Sequence, residues 1–104
     1  MSDEEKEWKA RFSENWKLED GKIYPSRASM YLVGGIKKEY EKADSNILFA
    51  LAGSSLFQPM YDVMAKMIDK KEKTEVECAK ILEEMGKELG KEIAKGREFE
   101  YERN

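Results

Sequence analysis

The sequence predicts a mainly α-helical (α+β) protein of about four helices, with one short β-hairpin near residues 16–24. Charged residues, chiefly Lys and Glu, make up 39% of the chain, and apolar residues recur at helical steps of three and four. The hairpin is indicated by a single Asp-Gly pair between short apolar segments. A chain of 104 residues holds one modest core, so we expect a single domain over residues 1–104.

The N-terminal segment has the pattern of a capped helix with an aromatic stripe. Ser2 and Glu5 have capping-box spacing, and Trp8, Phe12 and Trp16 then follow at intervals of four. Such a stripe either docks the helix on the core or forms an exposed groove-binding face, and the sequence leaves both interpretations open.

The hairpin is predicted from Asp20-Gly21, which fits a two-residue type I′ turn. That turn places Leu18 opposite Ile23. Because an isolated hairpin is marginal in water, we expect it to lie over the helices through these two side chains.

Two capped segments follow the hairpin. Ser26 is the expected cap of a helix to about Ala43, in which Gly34-Gly35 allows close packing, a kink or backbone contact with a ligand.

Asp44-Ser45 precedes the most apolar stretch, Ile47 to Ile68, which we interpret as a buried core helix. Polar residues interrupt this stretch, so no membrane span is predicted. Pro59 is expected to kink it or to start a second helix after Phe57.

The last helix opens with a second capping box, Thr74 and Glu77, and is expected to end near Gly96. Beyond Gly96 aromatic and charged residues alternate, as in a frayed helical extension or a short strand, and we favour a flexible tail at 97–104, tethered by Phe99 and Tyr101.

A line of small residues inside the last helix predicts that another helix comes close. Gly86, Gly90 and Ala94 repeat every four residues, and a glycine within a helix costs roughly 1 kcal/mol relative to alanine. The partner is either another helix of this chain or a second copy. Together with the bulky residues beside the line, the predicted interface consists of Leu82, Met85, Gly86, Leu89, Gly90, Ile93 and Ala94.

The residues that usually carry catalysis are scarce. The chain has no histidine and a single cysteine, Cys78, so we expect no enzyme activity, no metal site and no cofactor. Asp62 lies within the apolar methionine-rich stretch, either on its outer side or as a ligand-contacting or catalytic group.

The function that these features favour is helix-mediated protein–protein association, with the chain as a homodimer or with another protein as partner. The alternative is a sensor module for a small apolar ligand, with a pocket between the last two helices lined by Gly53, Met60, Met64 and Met85. The net charge of −3 argues against nucleic-acid binding, which would require Lys37, Lys38, Lys70 and Lys71 to converge on one face. With one cysteine and no signal-like start, we expect a cytoplasmic protein, and the Lys/Glu bias suggests a thermophilic source.

Two segments carry a resemblance to known families. Gly21-Lys-Ile-Tyr, Arg27 and Ile47 to Gly53 resemble the opening of vinyl-reductase-type sensor domains, which are related to the TRAPP vesicle-tethering subunits. Leu82 to Gly90 is similar to a Met-Gly-x-x-x-Gly helix of the TRAPP branch. The resemblance implies an α/β dimerising module that binds an apolar molecule or a partner. The chain departs from it by lacking the long sheet region and Cys-rich end of the vinyl-reductase domains.

Overall fold

The computed structural model describes residues 12–17 and 19–103, with side chains as far as Gly96. This part of the chain contains four helices: α1 (Arg27–Glu39), α2 (Ser45–Ala52), α3 (Gln58–Asp69) and α4 (Glu75–Arg103). Two short antiparallel strands, β1 (Trp16–Lys17) and β2 (Ile23–Tyr24), precede them. The predicted fold class, mainly helical with one short hairpin, is confirmed.

The hairpin forms with a different register from the predicted one. Lys17, rather than Leu18, is paired with Ile23, so the connection spans residues 18–22 instead of two residues. A type I′ turn needs positive φ at both central residues, but here Gly21 has φ +87° and Asp20 does not adopt positive φ. The Asp20 carboxylate instead accepts a hydrogen bond from the Lys22 backbone at 3.0 Å. Leu18 itself lies outside the described residues.

The expected contact of the hairpin with the helices is also wrong for Ile23, which is 65% exposed. The aromatic stripe is only partly recovered. Phe12 is fully buried in the core, whereas Trp16 belongs to β1 rather than to a helix. Trp8 and the predicted first capping box lie outside the described residues.

The caps of the later helices agree with their sequence signals. The Ser26 hydroxyl accepts from the Ser29 backbone at the start of α1, and the Asp44 carboxylate accepts from Asn46 at the start of α2. Thr74 and Glu77 form the reciprocal capping box of α4, with both backbone N–H groups satisfied at 3.1 and 3.2 Å.

The apolar stretch from Ile47 to Ile68 is two helices, which confirms the alternative that a second helix starts after Phe57 and excludes a single kinked helix. α2 ends at Ala52, and α3 starts after Phe57 with Pro59 in its first turn, where a missing N–H costs nothing. The expectation of a wholly buried element is wrong for Ile47 and Leu56, which are 66% and 72% exposed.

The ends of α1 and α4 also differ from prediction. α1 ends at Glu39 rather than near Ala43, and α4 continues through Gly96 to Arg103. A methyl group on Gly96 would meet no atom within 4 Å. Gly96 is exposed and lies within the continuous helix rather than at its end.

One core joins all four helices. It centres on residues from each of them together with Phe12 near the start of the described chain; its largest fully buried members are Tyr61, Phe12, Leu32, Ile36 and Leu82. The principal backbone contact is between α1 and α4. Arg27 meets Glu75, Gly35 lies against Gly86, and Glu39 lies beside Gly90, so these two helices run in the same direction.

Candidate functional site

The predicted glycine seam exists, and its partner is α1 of the same chain. A methyl group on Gly86 would lie 2.9 Å from both the Gly35 Cα and the Ile36 nitrogen, and would also meet the Leu32 carbonyl oxygen. A methyl group on Gly90 would lie 2.6 Å from the Ile36 carbonyl oxygen. Because these neighbours are backbone atoms, which move only with their helix, both positions require glycine for the observed packing.

Gly35 contributes the other half of this contact. A methyl group there would lie 2.9 Å from the Glu83 carbonyl carbon and 3.0 Å from the Gly86 Cα. Of the alternatives that the sequence left for Gly34-Gly35, close packing applies to Gly35. Gly34 points the other way, is exposed, and has no atom within 4 Å of the place a methyl group would occupy.

Two ion pairs bridge α1 and α4, one before the glycine contact and one alongside it. Arg27 Nε lies 2.9 Å from Glu75 Oε1 at the N-terminal ends of the two helices. Further along, the Lys38 ammonium donates to Glu83, and this hydrogen bond lowers the pKa of the Glu83 carboxyl. Near the first pair, burial raises the pKa of Tyr31, and the negative charge of Glu75 raises it further.

The remaining residues of the predicted interface divide into two groups. Leu82 is fully buried, and Met85, Leu89 and Ile93 are partly buried against the same core. Ala94 is also partly buried, but it lies beyond the point where Glu39 ends α1 beside Gly90. As far as Gly90, the small-residue line is therefore used within the chain, while Ala94 continues it past the end of α1.

The residues of the predicted ligand pocket do not all come together. Met64 is buried in the core, and Met60 and Met85 pack against it. Gly53 ends α2 in an exposed position instead. The three methionines thus all belong to or border the core, whereas Gly53 is exposed.

Asp62 and Cys78 were the two isolated candidates for chemistry; Asp62 is hydrogen-bonded and Cys78 is buried. Asp62 accepts a hydrogen bond from Gln58 at 3.1 Å, and the same amide of Gln58 donates to the Ser13 carbonyl oxygen. Burial raises the pKa of the Cys78 thiol, which disfavours the reactive thiolate.

The structure adds one buried group that sequence analysis missed. The Tyr61 hydroxyl donates to the Ala52 carbonyl oxygen at 2.6 Å, which connects α3 to the end of α2, and burial raises the pKa of Tyr61 to about 12. Its ring also stacks on Phe57 with centroids 6.5 Å apart. The available signal was the spacing of four between Phe57 and Tyr61, which flank Pro59 in the sequence.

The two lysine doublets lie at different ends of the α1–α4 pair. Lys37 donates to the Ser45 hydroxyl at 2.7 Å and Lys38 to Glu83, near the C-terminal end of α1. Lys70 and Lys71 are in the connection leading to the N-terminal end of α4. The arrangement therefore does not bring the four lysines onto one face.

No described helix is both long and apolar enough to cross a membrane. Within the same residues, no group of three or more histidine, cysteine, aspartate or glutamate side chains could hold a metal ion. No protein-family model, no curated protein and no solved structure matches the chain. The resemblance to vinyl-reductase-type domains and TRAPP subunits stays a prediction.

Proposed function

We propose that the protein acts without catalysis, through helix-mediated self-association, and that the part of α4 beyond α1 is the contact between two copies. The observation that carries this proposal is the difference in length between the two helices. α1 ends beside Gly90, whereas α4 continues for a further 13 residues, over about 20 Å, to Arg103.

The burial pattern of α4 changes at the same point. Cys78, Leu82, Gly86 and Gly90 are buried, but no residue from 91 to 96 is, although Ile93 and Ala94 remain partly covered. Up to Gly96, Ile93 is the residue of this segment that packs against the core, and a helix end with so few tertiary contacts is marginal in water, so packing against a second helix would stabilise it. Ala94 continues the small-residue line, which allows the backbone of that second helix to approach closely.

Native mass spectrometry of the untagged protein, together with light scattering in solution, tests this proposal. We expect a dimer of unmodified mass. Ala94→Glu places a charge on the proposed contact and should give monomers that keep their helical content and thermal stability. Lys95→Glu is the control, because Lys95 is exposed on the next position of the helix and should leave the dimer intact.

The other outcomes are equally informative. A bare monomer at concentrations where the protein is folded would contradict self-association. A monomer carrying additional mass would instead support the alternative function, a module that retains a small apolar ligand. A dimer that survives Ala94→Glu would place the contact on another surface.

A further inference from the structure

We propose that the Asp20-Gly21 pair is a site of spontaneous covalent modification, at which the folded protein forms a cyclic succinimide and then isoaspartate. Asp20, Gly21 and Lys22 are all exposed, in the connection between β1 and β2. This inference does not depend on the proposed self-association, because α4 takes no part in the reaction.

The reaction joins two groups of the chain and needs only water. The Gly21 backbone nitrogen loses its proton and attacks the Asp20 carboxyl carbon. A carbon–nitrogen bond forms and a carbon–oxygen bond of the carboxyl group breaks, so the oxygen leaves as water with the amide proton and the proton of the acid. Water then adds to one of the two carbonyl carbons of the succinimide. Cleavage of the original peptide bond gives isoaspartate, and cleavage of the new bond restores aspartate.

Gly21 lacks the side chain that usually obstructs this attack. In other residues Cβ crowds the backbone nitrogen and limits the rotation that brings it to the carboxyl carbon. Gly21 has φ +87°, a conformation that favours glycine, and a methyl group there would meet no atom within 4 Å. The hairpin turn therefore favours, at position 21, the residue that leaves the carboxyl group of Asp20 open to attack.

The hydrogen bond of Asp20 places its carboxyl group on the correct side. The Asp20 carboxylate accepts from the Lys22 backbone N–H at 3.0 Å. Because Lys22 follows two residues later, this bond folds the carboxyl group over the peptide unit that contains the Gly21 nitrogen, rather than out into solvent.

Asp44 provides a matched comparison within the same chain. Its carboxylate accepts the equivalent hydrogen bond, from the Asn46 backbone N–H at 2.9 Å. The next residue, however, is Ser45, which has a side chain, starts α2 and accepts a hydrogen bond from Lys37 at 2.7 Å. Ring closure at Asp44 would also remove the cap of α2. The two sites thus share the carboxylate geometry and differ in the residue that must attack.

Isoaspartate at position 20 would open the hairpin without disturbing the core. The main chain then runs through the former side chain, which lengthens the connection by one carbon atom and removes the acceptor of the Lys22 hydrogen bond. The pairing of Lys17 with Ile23 cannot keep its register across the longer connection. Ile23 and Tyr24 are 65% and 51% exposed, so their release costs little buried apolar surface.

The test is incubation of the full chain at neutral pH, at a temperature below its unfolding transition. Mass spectrometry with electron-transfer fragmentation identifies isoaspartate at each position, and the succinimide appears as the loss of one water. Isoaspartate at Asp20 should accumulate at least about tenfold faster than at Asp44, Asp62 or Asp69, which corresponds to an activation free energy lower by ~1.4 kcal/mol. Circular dichroism should show that the helical content is unchanged.

Two further samples separate the chemistry from the fold. Asp20→Glu keeps the charge but disfavours ring closure, and it should stop modification at position 20 while Asp44 reacts at its original rate. A synthetic peptide of residues 16–24 contains the same Asp-Gly pair without the folded turn. Because the turn holds the carboxyl group beside the Gly21 peptide, the folded protein should react at least as fast as this peptide.

Three results would overturn the inference. Equal rates at Asp20 and Asp44 would show that Gly21 gives no advantage. A rate in the folded protein at least about tenfold below that of the peptide would show that the turn protects Asp20. Loss of water at position 20 that persists in Asp20→Glu would show that another group reacts.

Discussion

α1 and α3 are both held against the rest of the described structure, but by opposite means. α1 meets α4 backbone to backbone through Gly35, Gly86 and Gly90. α3 keeps its backbone farther away and reaches the core through the long side chains of Tyr61 and Met64. The first contact has no atoms that can move aside, whereas the second contains a flexible methionine. A larger side chain should therefore destabilise the protein more at the α1–α4 contact than where α3 packs on the core.

The largest effect is expected where the backbone contact is tightest. Gly86→Leu must separate α1 from α4 and should lower the free energy of unfolding by more than about 3 kcal/mol. Chemical denaturation measures this loss. Gly96→Leu is the control on the same helix and should be neutral or stabilising, because leucine favours helix over glycine and the space is open. Equal stability of the two variants would refute the close approach.

A sharper comparison uses neighbouring glycines on α1. Gly35→Ala should destabilise by about 2 kcal/mol, because the methyl group would lie 2.9 Å from a carbonyl carbon of α4. Gly34→Ala should instead stabilise by about 0.5–1 kcal/mol, since alanine has the higher helix propensity and meets nothing. Thermal unfolding of the two variants gives the sign directly. Changes of the same sign would mean that the two glycines do not face opposite sides.

A smaller effect tests the side-chain contact of α3. Burial raises the pKa of Tyr61 to about 12, above the ordinary value of 10.0, so the folded state disfavours its ionised form. The corresponding stability is complete below pH 10 and is lost as the pH rises through about 12. By pH 11 the loss should be about 1.4 kcal/mol, the equivalent of one pKa unit.

Unfolding by urea between pH 9 and 11 measures this dependence. Tyr61→Phe is the control, because it removes the titrating group and keeps the ring; other titrating side chains affect both proteins alike. A slope that is unchanged in Tyr61→Phe would show that Tyr61 is not the group responsible. The variant should also be less stable at neutral pH, because the Ala52 carbonyl oxygen loses its hydrogen bond.

Much of the local structure followed from the sequence because its causes are local. Ser26, Asp44 and the Thr74–Glu77 pair begin helices where their side chains satisfy nearby backbone N–H groups. The start of α3 is also a local effect, but through Pro59, which suits the first turn of a helix because it has no backbone N–H to satisfy.

The sequence-based predictions that were wrong concern the hairpin turn and the end of α4, where the local signal fitted more than one structure. Asp20-Gly21 favoured a two-residue turn, but the Asp20 carboxylate stabilised a longer one. Gly96 suggested a helix end, yet glycine lowers helix propensity without forcing a stop, and α4 continues.

The sequence by itself determined the helical class, the position of most caps and the need for a close approach at Gly86 and Gly90. Only the tertiary structure decided that α1 is the helix that approaches, and that Gly35 rather than Gly34 faces it. The physical reason is that capping and helix propensity act within a few residues, whereas Gly35 and Gly86 are 51 residues apart in the chain. Their pairing depends on the simultaneous packing of all four described helices around one core.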